Sequence, residues 1–362
     1  MLVMKYSLDE LAVVWLDSFK FLDFSIKKQK ILNLFNTPSE IFKIEKKKKE
    51  VINIIGEDGY KILIDNSNND YVKKILLELG EIKFITKYNN NFPKCLLEIE
   101  ECPIILYYLG DISLIGQKCV GVVGSRTPTN YGKIITASLV KDLTKNGLVI
   151  ASGLAYGVDT IAHTTCLENN GKTIAVLAGG LKNIYPATNL ALAKLITENG
   201  LLITEYRPSL KATKYTFPYR NRIIACISDG ILITEAKIKS GSLHTKEYAL
   251  SYNKEIFAIP GNINSIESEG TNRLIKSCQG LACTSVDDIL ETLKIDKKTS
   301  QIKLKLDSNE SLILKILGSE EVHYDEILLK SSLDTKTLNS LLTKMEFNEL
   351  IKKLAGNYFC KI

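Results

Sequence analysis

The sequence predicts an α/β protein whose centre is a doubly wound, mostly parallel sheet, with a small helical region before it and a winged-helix module after it. Three observations carry this. Short, almost wholly apolar β-branched runs such as Cys119, Val120, Gly121, Val122 and Val123 recur along the middle of the chain. Amphipathic helical stretches separate them, and small-residue loops follow them. Apolar strands alternating with helices indicate parallel strands covered on both faces, because an antiparallel sheet with one wet face would alternate polar and apolar residues.

Residues 1–80 read as short helices, from the apolar spacing of Leu8, Leu11, Ala12, Trp15 and Leu16 and then of Ile31, Leu32, Leu34 and Phe35. Thr37 followed by Pro38 predicts a helix start with Thr37 as cap. This region is expected to form a helical domain of its own. Residues 82–292 form the expected extended Rossmann-like domain. Strands are predicted at residues 119–123, 148–151, 173–177, 201–204, 230–234 and 255–259, with helices at 131–145, 162–168 and 190–198. Residues 293–309, rich in lysine and polar side chains, read as a linker. Residues 310–362 give helices near 312–317, 324–330 and 335–347. A hairpin then turns at Gly356 and Asn357, which is winged-helix order.

With 362 residues, 45% hydrophobic and 24% charged, the chain has the composition of a globular protein of two or three domains. No apolar run is long enough for a membrane span, and Asp9, Glu10 and Asp17 interrupt the N-terminal apolar pattern. A cytoplasmic location without membrane contact is therefore expected. The eight cysteines are scattered, with no C-x-x-C pair and no accompanying histidine set, so no metal site and no disulfide framework are expected.

Charge is localised. Residues 1–81 hold 13 basic and 13 acidic side chains, and residues 300–362 hold 9 of each; residues 118–292 hold 19 basic against 14 acidic. Residues 206–228 contain Arg207, Lys211, Lys214, Arg220 and Arg222 and no acid. Such a patch suits a polyanion, whose neutralisation releases counterions. All five arginines (126, 207, 220, 222 and 273) lie in the central region of a chain that otherwise uses lysine. Arginine there points to a need for a planar, bidentate donor, met by phosphate in some cases and by a structural carboxylate in others.

Ligands of doubly wound sheets sit at the carboxyl ends of the strands. The first such loop, Gly124, Ser125 and Arg126 running on to a helix near Gly132, lets backbone approach a phosphate while the helix N-terminus supplies donors and positive potential. Its spacing matches neither the dinucleotide fingerprint nor the P-loop, so neither a nicotinamide cofactor nor ATP hydrolysis is supported. Ser152 and Gly153 follow the second strand. Asp159 and His163, four apart on a helix, read as a structural pair sooner than a catalytic dyad. Lys214, Phe217, Arg220, Asn221 and Arg222, with the loop Ser240, Gly241 and Ser242, complete the candidate set. Tyr215, Phe217 and Tyr219 beside these cations suit base stacking, with two of the three expected in the core.

The ordered series GVVGSRTPTNYG, SGLAYGVDTIAH, TIAVLAGGLKNIYPATN, FPYRNRIIA, EAKIKSGSLHTKEYAL and PGNINSIESEGTNRLIK resembles the DNA-processing protein A family, DprA/Smf. The resemblance implies binding of single-stranded DNA, protection of incoming strands in transformation and loading of a RecA-type recombinase. It also implies a homodimer, no nucleotide cofactor and a SAM-like type for the helical region 1–80; with no recognised catalytic spacing, no catalytic residue is expected and the chain is expected not to be an enzyme. Carried over by position, its DNA-binding set is Gly124, Ser125, Arg126, Ser152, Gly153, Lys214, Phe217, Arg220, Asn221, Arg222, Ser240, Gly241 and Ser242. Ala187 stands where some members place a lysine, and Ser277, Cys278 and Gln279 where Gly-Ala is usual. The alternative is a nucleotide N-glycosidic hydrolase, whose P-G-G-x-G-T loop is only partly matched at Ala178, Gly179 and Gly180; Asp159 and Glu235 would be its carboxylates.

Overall fold

The computed structural model describes residues 6–22, 25–297, 307–318, 321–348 and 350–361. Among the described residues nine strands share one sheet: β1 (Lys83–Thr86), β2 (Ile105–Gly110), β3 (Cys119–Val123), β4 (Val149–Ser152), β5 (Thr173–Val176), β6 (Leu201–Thr204), β7 (Gly230–Ile233), β8 (Glu255–Ala258) and β9 (Leu281–Ala282). Their spatial order is β1-β2-β6-β5-β4-β3-β7-β8-β9. The seven strands from β6 to β9 are parallel, and β1 and β2 add an antiparallel edge. Chain order runs outward from β3 to β6 on one side and then from β7 to β9 on the other, which places a switch point between β3 and β7.

Strand pleating explains the wholly apolar runs. Val120, Val122, Ile150 and Leu232 face one layer, where helices Asn130–Lys145 and Val158–Glu168 contribute Leu139, Val140, Leu143, Ala162 and Cys166. Cys119, Val123, Val149, Ala151, Ile231 and Ile233 face the other, against Ile223, Ile224 and Ile227 of helix Thr216–Ile227. Alternate residues reach opposite faces, so both must be apolar when helices cover both.

The expected boundary at residue 80 is not a break in the packing. Met1–Lys298 is one compact unit and Thr299–Ile362 another. Leu11, Val14, Trp15 and Leu63 share a core with Phe84, Ile105, Tyr107 and Leu202. Tyr107 donates its hydroxyl to Asp17 at 2.8 Å, and the same buried carboxylate accepts from Lys28 at 2.5 Å. Trp15 Nε1 donates to the carbonyl of Asn66 at 2.8 Å. Thr37 precedes a 3-10 stretch, Pro38–Lys47, with Pro38 in its first turn, but its hydroxyl makes no capping bond to the backbone. It lies instead 3.2 Å from the Ser39 hydroxyl.

Residues 298–306 of the expected linker lie outside the described residues. The second unit has helices Ser308–Leu317, Tyr324–Ser331 and Thr335–Phe347 and a sheet ordered β10-β12-β11, from β10 (Val322–His323), β11 (Ile351–Lys353) and β12 (Tyr358–Lys361). Gly356 and Asn357, at φ of 76° and 65°, turn the wing. Ile313, Leu317, Ile327, Leu338, Met345, Ile351 and Phe359 close its core. Among the described residues no helix is long and apolar enough to cross a membrane.

Candidate nucleic-acid interface

At the switch point the loops after β3 and β7 part, leaving a cavity of about 680 Å³. Gly124 opens the first loop where the chain is tightly packed: a Cβ there would lie 2.7 Å from Val158 Cγ2 and 3.1 Å from the carbonyl oxygen of Glu235. Ser125 follows, nearly buried, and donates to Glu267 Oε2 at 2.9 Å. Arg126 is exposed, and its guanidinium lies 4.9 Å over the Phe217 ring. Lys214 stands just before the same helix and lies 5.0 Å over the Tyr215 ring.

The cavity wall carries five cations, Arg126, Lys214, Arg220, Lys237 and Lys239, against two carboxylates, Asp159 and Glu267. Both carboxylates are engaged. Asp159 accepts from the backbone N–H of Gly153 at 3.1 Å and of Ala155 at 3.3 Å, and Glu267 holds Lys237 at 3.0 Å as well as Ser125. Burial raises the Asp159 carboxyl above its ordinary range, while Arg220 and the two N–H donors oppose that. Arg220 donates to the carbonyls of Gly153, at 2.7 Å, and of Val176, and to Asn221 Oδ1 at 3.1 Å. Burial brings its guanidinium down to about 10, with Asp159 opposing, so it stays charged at neutral pH.

Ten of the thirteen expected residues line the cavity: Gly124, Ser125, Arg126, Lys214, Phe217, Arg220, Asn221, Ser240, Gly241 and Ser242. Asn221 donates to the carbonyl of Gly241 at 3.4 Å, tying the helix to the serine loop, and the hydroxyls of Ser240 and Ser242 are 2.8 Å apart.

Three expected residues stand elsewhere. Ser152 is fully buried and donates to the carbonyl of Val122 at 2.7 Å, joining β4 to β3. Gly153 sits behind Arg220, where any Cβ would fall 2.2 Å from the guanidinium. Arg222 is fully buried, bidentate to Glu205 at 2.7 and 2.6 Å, with its guanidinium 4.0 Å from the Tyr219 ring. The planar donor that the sequence called for is there, but its partner is a carboxylate of the protein, and Glu205 raises it further above the arginine range against the effect of burial. None of the three aromatics is fully buried: Tyr215 is 67% exposed, and Phe217 and Tyr219 are half-buried.

The helix Asn130–Lys145 departs from expectation in a way that matters for anion binding. Its N-terminus already has an anion, because Glu235, buried at the end of β7, accepts from the Thr129 N–H at 2.8 Å and its hydroxyl at 2.6 Å. The positive end of the helix is therefore satisfied from within. His163 and Asp159 form no pair. Thr173 donates its hydroxyl to Ile150 O at 2.7 Å and therefore accepts from His163 Nδ1–H, also at 2.7 Å. Gly179 and Gly180 pack backbone to backbone on residues 207–212, where a Cβ at Gly180 would lie 2.1 Å from the carbonyl oxygen of Arg207.

The sequence reading missed Lys237, Lys239, His244 and Glu267 in the wall. The lysines alternate in the run before Ser240 and were legible as flanking charge. Glu267 comes from a 3-10 turn, Ile266–Ser268, distant in sequence and brought in by its contacts with Lys237 and Ser125.

The central domain is thus a doubly wound α/β domain with a cationic cavity at its switch point and with neither a dinucleotide nor a P-loop fingerprint. Residues 83–294 match the family described as DNA recombination-mediator protein A, and residues 297–357 match the DprA winged helix domain, so the chain belongs to the DprA family. It is 40% identical over 207 residues to the DNA processing protein DprA of Bacillus subtilis, covering 57% of this chain and 69% of that one. The structure of DNA processing protein A from Streptococcus pneumoniae matches with a TM-score of 0.66 at 31% identity, covering 79% of this chain and 98% of that one. A Helicobacter pylori DNA processing protein A structure, described as giving its single-stranded DNA binding mode, matches with a TM-score of 0.54 at 34% identity. It covers 59% of this chain and 96% of that one.

Proposed function

We propose that this chain binds single-stranded DNA in the cavity between β3 and β7, protects incoming strands in the cytoplasm, and delivers them as a homodimer to a RecA-type recombinase. The observation that carries the DNA reading is Arg126 lying 4.9 Å over Phe217 at the mouth of a cavity with five cations. A guanidinium over a half-buried ring places a phosphate donor beside an aromatic surface for one unpaired nucleotide. Lys214 and Lys239 add exposed charge on the same wall, and Ser240 and Ser242 add hydroxyl donors to a backbone passing the loop. The ten lining residues of the expected set are the proposed contacts; Ser152, Gly153 and Arg222 support them from behind.

No cofactor and no catalytic role are assigned. The carboxylates that the hydrolase alternative would use are both committed to backbone donors, Asp159 to Gly153 and Ala155 and Glu235 to Thr129. The test is anisotropy of labelled single- and double-stranded oligonucleotides at several salt concentrations. Single-strand preference with affinity falling steeply in salt is expected; equal affinity for both forms, or a flat salt titration, overturns the reading. Release of free base from a nucleoside monophosphate would favour the hydrolase. For the recombinase step, the protein should speed RecA-type filament growth on strands already coated by a single-strand-binding protein.

A further inference from the structure

Beyond the cavity, three aromatic rings follow the carboxyl edge of the sheet. Tyr156 lies in the loop after β4, Tyr185 in the segment after β5, and Phe217 at the start of the helix after β6. The Phe217 and Tyr185 centroids are 5.6 Å apart and those of Tyr185 and Tyr156 are 6.3 Å apart, each pair edge to face. Tyr185 is 49% exposed and Tyr156 43% exposed, and neither ring lines the cavity that Phe217 borders. Burial of apolar surface does not account for large rings held this open. Edge-to-face packing fixes their positions while leaving ring surface to solvent. Gly157, at φ of 75°, turns the chain immediately after Tyr156, and a Cβ there would lie 2.4 Å from Ser125 O, so the tyrosine loop is locked against the Arg126 loop.

We propose that Tyr185 and Tyr156 form a stacking track that continues the DNA site outward from Phe217, taking successive bases of a single strand after the first nucleotide has entered the cavity. This rests on the DNA reading above. The occupant is an unpaired polynucleotide because the row begins at the ring that Arg126 covers and is continuous with the cationic wall. Aromatic faces at near-regular spacing accept any base, giving affinity without sequence preference. A duplex, whose bases already stack on each other, gains nothing from the row.

The test compares oligothymidylates of about four and about twenty nucleotides on the full chain, unmodified and with Tyr156→Ala, Tyr185→Ala or both. The short strand fills the cavity alone, so its affinity should stay within about twofold in every variant; the long strand should weaken roughly tenfold per ring. Tyr185→Phe should retain affinity, because stacking needs the ring and not the hydroxyl. With the unmodified protein, photo-crosslinking of a strand bearing 5-iododeoxyuridine should label Tyr185 and Tyr156. Equal affinities for the long strand, equal losses for both lengths, or crosslinks confined to Phe217 would overturn the track while leaving the cavity reading intact. Failure of the unmodified protein to bind either strand removes the DNA reading itself.

Discussion

Two arginines near Phe217, Arg222 five positions along the chain and Arg126 4.9 Å from the ring, have opposite duties, and their burial separates them. Arg222 is fully buried and bidentate to Glu205, so Arg222→Ala leaves a carboxylate without its partner in the core. Urea unfolding should show a loss of about 3–5 kcal/mol, with single-strand affinity of the remaining folded protein little changed. Arg126 is exposed and its contact is an aromatic face. Arg126→Ala should leave the unfolding midpoint nearly unmoved and weaken single-strand binding by about 1–3 kcal/mol at fixed salt. His163 gives a residue-scale pH effect. Burial lowers its imidazole from 6.5 to about 3, so the folded protein keeps it neutral while the unfolded chain protonates it below 6.5. The unfolded state then binds the extra proton, and the stability present above pH 6.5 is lost progressively as pH falls toward 3, by up to about 1.4 kcal/mol per pH unit. His163→Gln should flatten that part of the stability curve relative to the unmodified protein, read from chemical denaturation between pH 6.5 and 5.

At the scale of elements, the helix Asn130–Lys145 shows why a loop can look like an anion site and be something else. Gly132 is small because the Glu235 carboxylate fills the space beside it: an added Cβ would lie 2.1 Å from Oε2. Gly132→Ala should push Glu235 off Thr129, cost about 1–3 kcal/mol in thermal or chemical unfolding, and loosen the Arg126 loop that precedes the helix. From sequence, the loop running on to Gly132 read as one admitting a phosphate, since close approach by an outer anion and by an inner carboxylate demand the same absence of a side chain. Strands β3 to β8 were legible because apolar β-branched runs between amphipathic helices admit one architecture. Strands β1, β2 and β9 were not. Lys83, Phe84, Ile85 and Thr86 carry no such run, and their extended state follows from antiparallel pairing with Tyr107 and its neighbours. The lining of the candidate cavity was legible as a list but not as a surface. The segment at residues 206–228 shows neither that Arg220 faces the cavity and Arg222 the core, nor that Glu267 arrives from another loop, since helix phase and loop closure decide both.

The molecule as a whole constrains where the proposed DNA-binding part can be cut. Residues 82–292 look self-sufficient in sequence, yet their edge strands are packed by the N-terminal helices. Tyr107 is bonded to Asp17, and Ile105 and Leu202 share a core with Trp15 and Leu63. Removing residues 1–81 exposes those apolar side chains and leaves the buried Tyr107 hydroxyl without Asp17, each a cost of about 1–3 kcal/mol. A fragment of residues 1–298 keeps every one of these contacts, because that stretch is one compact unit. It should therefore fold cooperatively and bind a single strand with the affinity of the full chain. A fragment of residues 82–292 should be less stable by several kcal/mol, prone to aggregation through its uncovered sheet edge, and weaker in binding. Denaturant unfolding and anisotropy on the two fragments, side by side with the full chain, check this. The salt dependence adds a second reading. If the cavity alone supplies the phosphate contacts, the slope of log affinity against log salt should match between residues 1–298 and the full chain, at about −0.7 for each phosphate neutralised. A steeper slope for the full chain would mean that residues 299–362 also meet the strand, although their 9 basic and 9 acidic side chains from residue 300 onward offer no excess charge to do so.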